Sequence, residues 1–204
     1  MNNTNPNSGP NVDPNVDLDF DKIIDVIFDL FKRRGAEEYL GEAVSIADHM
    51  EQSAACAVAD NAADHLVIAA LLHDIGHLVC DFPSDAMDNG IDTVHEQAGA
   101  DFLQPFFPAS VVEPIRLHVA AKRYLCAVDD EYLGNLSRAS VQSLQLQGGP
   151  MSEAEVIEFE QFPFYLEAAR TRRYDDDGKV NGLTIKPVTD YRQQLQAMLN
   201  HSKA

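Results

Sequence analysis

His73 and Asp74 stand side by side in the run Leu-Leu-His-Asp-Ile-Gly-His that ends at His77. Adjacent imidazole and carboxylate groups on one helix offer a metal pair both donor types. The carboxylate has two oxygens with which to bridge two ions, while the imidazole serves only one. His49, His95 and His118 lie far enough along the chain on either side to come from separate helices, and a late carboxylate follows in the run Asp175-Asp176-Asp177. Five of the seven histidines fall into this pattern. Four histidines and two aspartates without a thiolate suit iron, manganese or zinc. A pair of such ions can activate water or, as redox-active iron, dioxygen. His65 and His201 lack this setting and are read as structural.

Residues one helical turn from these positions carry the next layer of chemistry. His77 follows His73 by four, Lys122 follows His118 by four, and Arg172 precedes Asp175 by three. On helices, each would share a face with its neighbour in the metal set. Three cationic or proton-bearing groups would then converge beside the metals, and a guanidinium fork and an ammonium suit the oxygens of a phosphonate. Arg170 and Arg173 point elsewhere and are expected to be solvated or structural. Tyr39, Glu42, Ile46 and His49 recur at three-four spacing, so Tyr39 and Glu42 are candidates for the face that carries His49. Plain core packing of Tyr39 and Ile46 fits the same spacing.

The elements that must position these groups read as helical. Apolar residues from Phe20 to Phe31 follow helical spacing, with Gly35 as a stop. A second helix is expected over 42–59, and a third, buried on most sides, over 63–77. Thr93-x-x-Glu96, Ser110-x-x-Glu113 and Ser152-x-x-Glu155 each have the form of a capping box opening a helix, with Pro114 in a first turn and Pro163 ending the third of these helices. A last helix is expected over 189–199. Residues 182–186 are at best a short extended piece. The expected fold is all-α, a single domain over 17–204 behind an Asn- and Pro-rich segment, 1–16, read as disordered.

Composition limits the partners. The chain has 204 residues and a formal charge of −18, and no Lys or Arg occurs from Gly35 through Ile115. Such a field repels a phosphate backbone and attracts metal cations, so nucleic acid is not an expected partner. No apolar run is long enough to cross a bilayer, and no basic start with an apolar core marks a secretory signal. Three cysteines without Cys-x-x-Cys spacing read as reduced thiols of a cytoplasmic protein. The oligomeric state is not legible.

The ordered set His49, His73-Asp74, His95, His118 and Asp175 resembles that of the HD-domain superfamily, whose members build a helical bundle around a dinuclear site. Alone, that resemblance implies a metal-dependent phosphohydrolase. Tyr39-x-Gly-Glu42, and His77 where the superfamily often carries Lys, resemble instead the mixed-valent di-iron oxygenases that cleave carbon–phosphorus bonds, with myo-inositol oxygenase more distant. This resemblance covers about residues 20–180. It implies one iron on His49, His73, Asp74 and Asp175, and a second on the bridging Asp74 with His95 and His118. Asp175 is chosen because the family's late Asp directly follows an aromatic residue, here Tyr174, while spacing leaves Asp176 open. The resemblance further implies an Fe(II)/Fe(III) pair, O2 as co-substrate, Ser140 as a donor to the phosphonate, and Tyr39 closing an open coordination position. Glu42 would hold Tyr39 or the cationic end of a small 1-hydroxy-2-(trimethylammonio or amino)ethylphosphonate.

Overall fold

A computed structural model describes residues 22–39, 41–82 and 89–200. The expectations for 1–16, for the start of the first helix at Phe20, for Leu40 and for His201 lie outside the described residues. Among those described, the secondary structure is helical apart from one isolated bridge between Glu38 and Ser45. The helices are α1 (Ile23–Arg34), α2 (Ile46–Ala59), α3 (Asp64–Leu72), α4 (Ile75–Val79), α5 (His95–Leu103), α6 (Ala109–Val128), α7 (Tyr132–Asn135), α8 (Arg138–Leu146), α9 (Glu153–Phe159), α10 (Tyr165–Asp177) and α11 (Arg192–Met198), with a 3-10 turn at Val188–Tyr191 before the last.

The helix α3 is the centre of the bundle. All of Leu66 through Leu72 are buried, so it has no polar face and must be surrounded. It packs against α2, α6 and α10, while α5 closes on α4 and α6. Met50, Ile68, Leu71, Leu72, Ile75, Leu103 and Ile115 fill the interior between them. Because α3 is wrapped on all sides, whatever stands at its C-terminal end is held deep in the protein.

The expected single helix over 63–77 is broken there. It ends at Leu72, Asp74 takes φ −103° and ψ 15°, and α4 restarts at Ile75. The His-Asp pair therefore occupies a kink and not a continuous helix, which turns the Asp74 carboxylate across the bundle axis instead of along one face. Gly76 makes the kink compatible with α5. A Cβ on Gly76 would fall 1.9 Å from the His95 carbonyl oxygen, so only glycine permits this approach.

Other boundaries moved for local reasons. The second helix starts at Ile46 and not at residue 42, because Ser45 caps it by accepting from Asp48 N–H at 3.1 Å. Ser152 and Glu155 form the expected capping box, but the other two do not form. Val94 turns left-handed (φ 50°) and α5 opens at His95, so Thr93 does not cap. Pro108 precedes α6, which starts at Ala109 and places Pro114 in its second turn. Among the described residues, no helix is long and apolar enough to cross a membrane.

Gly76→Ala is expected to lower stability by about 1–3 kcal/mol, the usual cost of overpacking against backbone. Urea unfolding of the variant measures it, and an unchanged midpoint would remove the close α4–α5 approach.

Candidate metal centre

His49 comes from α2, His73 and Asp74 from the α3–α4 kink, His95 from α5, His118 from α6 and Asp175 from α10. All six are buried, with Asp74 and Asp175 each 1% exposed. Their ligand atoms form two sets that share Asp74, one with His49 and His73 and one with His95 and His118. Asp74 Oδ2 stands 3.6 Å from His49 Nε2 and 3.4 Å from His73 Nε2. Its Oδ1 stands 3.1 Å from His95 Nε2 and 3.4 Å from His118 Nε2. Each carboxylate oxygen thus faces its own histidine pair.

The tautomers follow from the outer nitrogens. His49 Nδ1 donates to Gly178 O at 2.9 Å, His73 Nδ1 to Ala70 O at 2.8 Å, and His118 Nδ1 to Ile115 O at 2.7 Å. A carbonyl only accepts, so in a neutral ring the proton is on Nδ1 and Nε2 carries a bare lone pair. Yet Nε2 atoms face each other at 3.0 Å between His49 and His73, and at 3.2 Å between His95 and His118. Both Asp74 oxygens are buried without a hydrogen-bond partner, and Asp175 Oδ1 has only the Lys179 ammonium beside it, at 3.2 Å. Lone pairs and carboxylate oxygens crowded together, with no proton between them, fit metal cations in both sets.

The charges agree with that donor set. Burial pushes the Asp74 carboxyl up, but positive charge on His73, His95 and the other rings would more than offset it and hold it well below the usual range, the part a metal cation plays when the rings are neutral. Asp175 is likewise held well below, the penalty of burial being outweighed by Arg172 and Lys179. Asp175 Oδ1 lies 3.4 Å from His49 Nε2 and 4.0 Å from His73 Nε2, on the first set's side. Asp176 is turned away and accepts from Arg172 and Tyr132. The geometry therefore places Asp175, and not Asp176, beside the histidines.

A cavity of about 810 Å³ opens onto the centre, and Tyr39, Glu42, His77, Lys122, Ser140 and Arg172 all line it. Tyr39 and Glu42 do not extend the His49 helix as the spacing implied. They sit in a tight turn, where Glu42 N–H donates to Tyr39 O at 2.7 Å. Tyr39 nevertheless reaches the site, its ring stacked on His49 at 4.0 Å. Burial, then Asp74 and Asp175, push its phenol well above the ordinary value, so it stays protonated. The Glu42 carboxylate accepts from Ser137 Oγ, the N-cap of α8.

His77 stacks on His95 at 4.2 Å, and burial followed by His95 pushes it down to about 3, so it is neutral. Lys122 is 2% exposed and donates to Ser143 Oγ at 2.7 Å, with no carboxylate partner among its hydrogen bonds. Burial and the nearby Arg172 push it down to about 7. Arg172 is committed to carboxylates: it holds Asp175 Oδ2 at 2.7 Å and pairs with Asp176 through two nitrogens, leaving Ser140 Oγ at 3.3 Å. Arg170 and Arg173 pair with Asp60 and Asp129 on the surface. Ser143 and Lys179 line the cavity as well. Spacing offered a signal for Lys179, which lies four residues after Asp175, but none for Ser143, whose helix holds no metal-set residue.

An all-α domain with this His/Asp centre at a helix break has the architecture of an HD-type metal-centre protein. No family model matches the chain. It is 44% identical over 171 residues to a 1-hydroxy-2-(trimethylamino)ethylphosphonate dioxygenase (glycine-betaine-forming) of Leisingera caerulea, covering 84% of this chain and 87% of that relative. A hydroxymethylphosphonate dioxygenase of Gimesia maris is 44% identical over 168 residues, 81% of this chain and 83% of its own. An uncharacterized protein of Acanthamoeba polyphaga mimivirus is 35% identical over 177 residues, 85% of this chain and 80% of its own. The chain belongs to the phosphonate dioxygenase family.

Asp74→Ala is expected to abolish both metal sites, whereas His95→Ala should spare the set of His49 and His73. Metal content per folded chain checks this, and two ions retained by Asp74→Ala would exclude the shared carboxylate.

Proposed function

We propose that this protein is a di-iron oxygenase that uses O2 to cleave the C–P bond of a 1-hydroxy-2-(trimethylammonio or amino)ethylphosphonate, releasing phosphate with glycine betaine or glycine. The observation that carries the proposal is the single buried carboxylate shared by two histidine pairs, opening onto a cavity with a buried lysine that has no carboxylate partner. The two dioxygenase relatives support the oxygen chemistry. His49, His73, Asp74 and Asp175 would hold one iron, and Asp74, His95 and His118 the other. When bound, the iron pair supplies the redox chemistry by which O2 is reduced and the hydroxylated carbon oxidised.

The chain's own groups bind and orient the substrate. Lys122 supplies an ammonium beside the Ser143 hydroxyl, and Ser140 and Arg172 stand next to it, so the phosphonate end belongs there. His77, neutral and with Nε2 unpartnered, completes the polar wall near His95. Glu38, Glu42 and Asp92 line the same cavity and favour a cationic far end. That acidity favours an amine-bearing substrate over hydroxymethylphosphonate, which has no group to meet it. Tyr39, packed on His49, shields the first metal set from the cavity until substrate displaces it, which keeps water and oxygen from an idle centre.

Phosphate release by iron-loaded protein, measured with and without oxygen on the trimethylammonio and amino compounds, tests the proposal. Oxygen-dependent release is expected from at least one. Turnover of ordinary phosphate esters instead, without oxygen, would give the centre to a metal-dependent phosphohydrolase. Lys122→Ala should raise KM about 10- to 100-fold, the loss of one charge-assisted hydrogen bond. Tyr39→Phe should alter the optical and spin-resonance signature of the iron pair, and an unchanged signature would detach Tyr39 from the metals.

A further inference from the structure

Lys179 lies one turn beyond Asp175, where α10 has ended and the chain passes against α2. Its Nζ is 3.2 Å from Ser140 Oγ, 3.2 Å from Asp175 Oδ1 and 3.5 Å from Asp176 Oδ1, and its side chain is 10% exposed. It lines the cavity. The backbone that carries it is pinned, because Gly178 O accepts from His49 Nδ1 at 2.9 Å. A Cβ on Gly178 would fall 2.4 Å from Ser53 Oγ, so α10 and α2 meet here as closely as backbones allow. Lys179 is thus hung at a fixed point between the metal set and α8.

Two cations share Asp175 and Asp176 of α10, and they do so unequally. Arg172 takes Asp175 Oδ2 and binds Asp176 through two nitrogens. Lys179 takes Asp175 Oδ1, the oxygen that faces His49 and His73. A metal held by those histidines would draw on that same oxygen and leave the ammonium with a cation as its neighbour. In a buried site, like charges so placed repel strongly. Arg172, fixed on the far oxygen, keeps its partners. Lys179 is therefore the cation that gains a reason to move, and Ser140 is already within its reach.

The same helix supplies a matching lysine. Ser140 and Ser143 lie three residues apart on α8, one with Lys179 Nζ at 3.2 Å and the other with Lys122 Nζ at 2.7 Å. A tetrahedral anion with three oxygens can lie across two hydroxyls so spaced and reach an ammonium at each.

We propose that Lys179 is a second anion-binding lysine of this pocket, which exchanges Asp175 for phosphonate oxygens once metal is bound and acts with Lys122 across Ser140 and Ser143. The proposal rests on the phosphonate assignment above and extends it to a residue outside that set. Methylphosphonate, which has no hydroxylated carbon to oxidise, serves as the probe, with binding to iron-loaded protein under argon followed by calorimetry. Lys179→Met should weaken binding about 10- to 100-fold, and Lys179→Arg should retain most of it. In a chelator competition, Lys179→Met should hold metal at least as tightly as wild type, since a cation opposing the metal has gone.

Methylphosphonate binding unchanged in Lys179→Met would overturn the proposal and leave Lys179 as a counter-charge for the two aspartates. Loss of binding that follows loss of metal in both variants would overturn it too. If wild-type protein failed to bind methylphosphonate, this proposal and the pocket beneath it would fall together.

Discussion

Asp74 is ionised, 1% exposed, and has no hydrogen-bond donor on either oxygen. Removing a carboxylate from water without replacing its hydrogen bonds costs several kcal/mol, more than any one core side chain recovers. Nor do His49, His73 and His118 relieve it, because their carbonyl-bound Nδ1 atoms leave lone pairs on the Nε2 atoms that face it. Three imidazole lone pairs around one carboxylate are mutually repulsive until cations lie between them. The bundle assembles that arrangement at the end of its most buried helix, with both Asp74 oxygens buried. Metal binding and folding are therefore linked, since the ion turns the costliest point of the core into its strongest contact.

Charge is sorted along the chain in a way that serves this centre. The stretch from Gly35 through Ile115 has no Lys or Arg, and it supplies His49, His73, Asp74 and His95. No side-chain cation from that half competes with a metal. The cations of the site, Lys122, Arg172 and Lys179, all come from the second half, and each is placed by a helix that also carries a member of the metal set or directly follows one. Burial and the nearby Arg172 push Lys122 down to about 7, so an anion arriving beside it would favour its ammonium form.

Much of the centre was legible because ligand chemistry constrains residue type more tightly than it constrains backbone path. His49, His73, Asp74, His95 and His118 could be picked from their types and order, and Asp175 only through the family resemblance, since spacing left Asp176 open; all six converge. The path between them was less legible. Continuous apolar character from Leu66 to Leu72 predicts a buried helix but contains nothing that marks its break at His73–Asp74. Gly76 is the only local clue, and its reason is a neighbour distant in sequence, the His95 carbonyl. Tyr39 and Glu42 fit helical spacing while occupying a turn, because Ser45 caps α2 only after both have passed. Arg172 could be placed beside Asp175 and Asp176 by periodicity, but its contact with Tyr132 depends on α7, which has no spacing relation to it.

Asp175 joins the two halves of the site through the different work of its two oxygens. Oδ2 is held by Arg172 at 2.7 Å, which fixes the rotamer, and Oδ1 is thereby aimed at His49 and His73. Arg172, Asp175, Asp176 and Lys179 follow at three-four spacing, so one stripe at the end of α10 carries both the metal-facing oxygen and the cations nearest Ser140. Within that group, the carboxylates of Asp74, Asp175 and Asp176 are matched in number by Lys122, Arg172 and Lys179. Without metals these carboxylates offset Arg172, Lys179 and Lys122, whose ammonium burial already disfavours. Metal cations add positive charge that no further protein carboxylate in the cluster offsets. Loading the centre would thus strengthen the pull of the pocket on an anion.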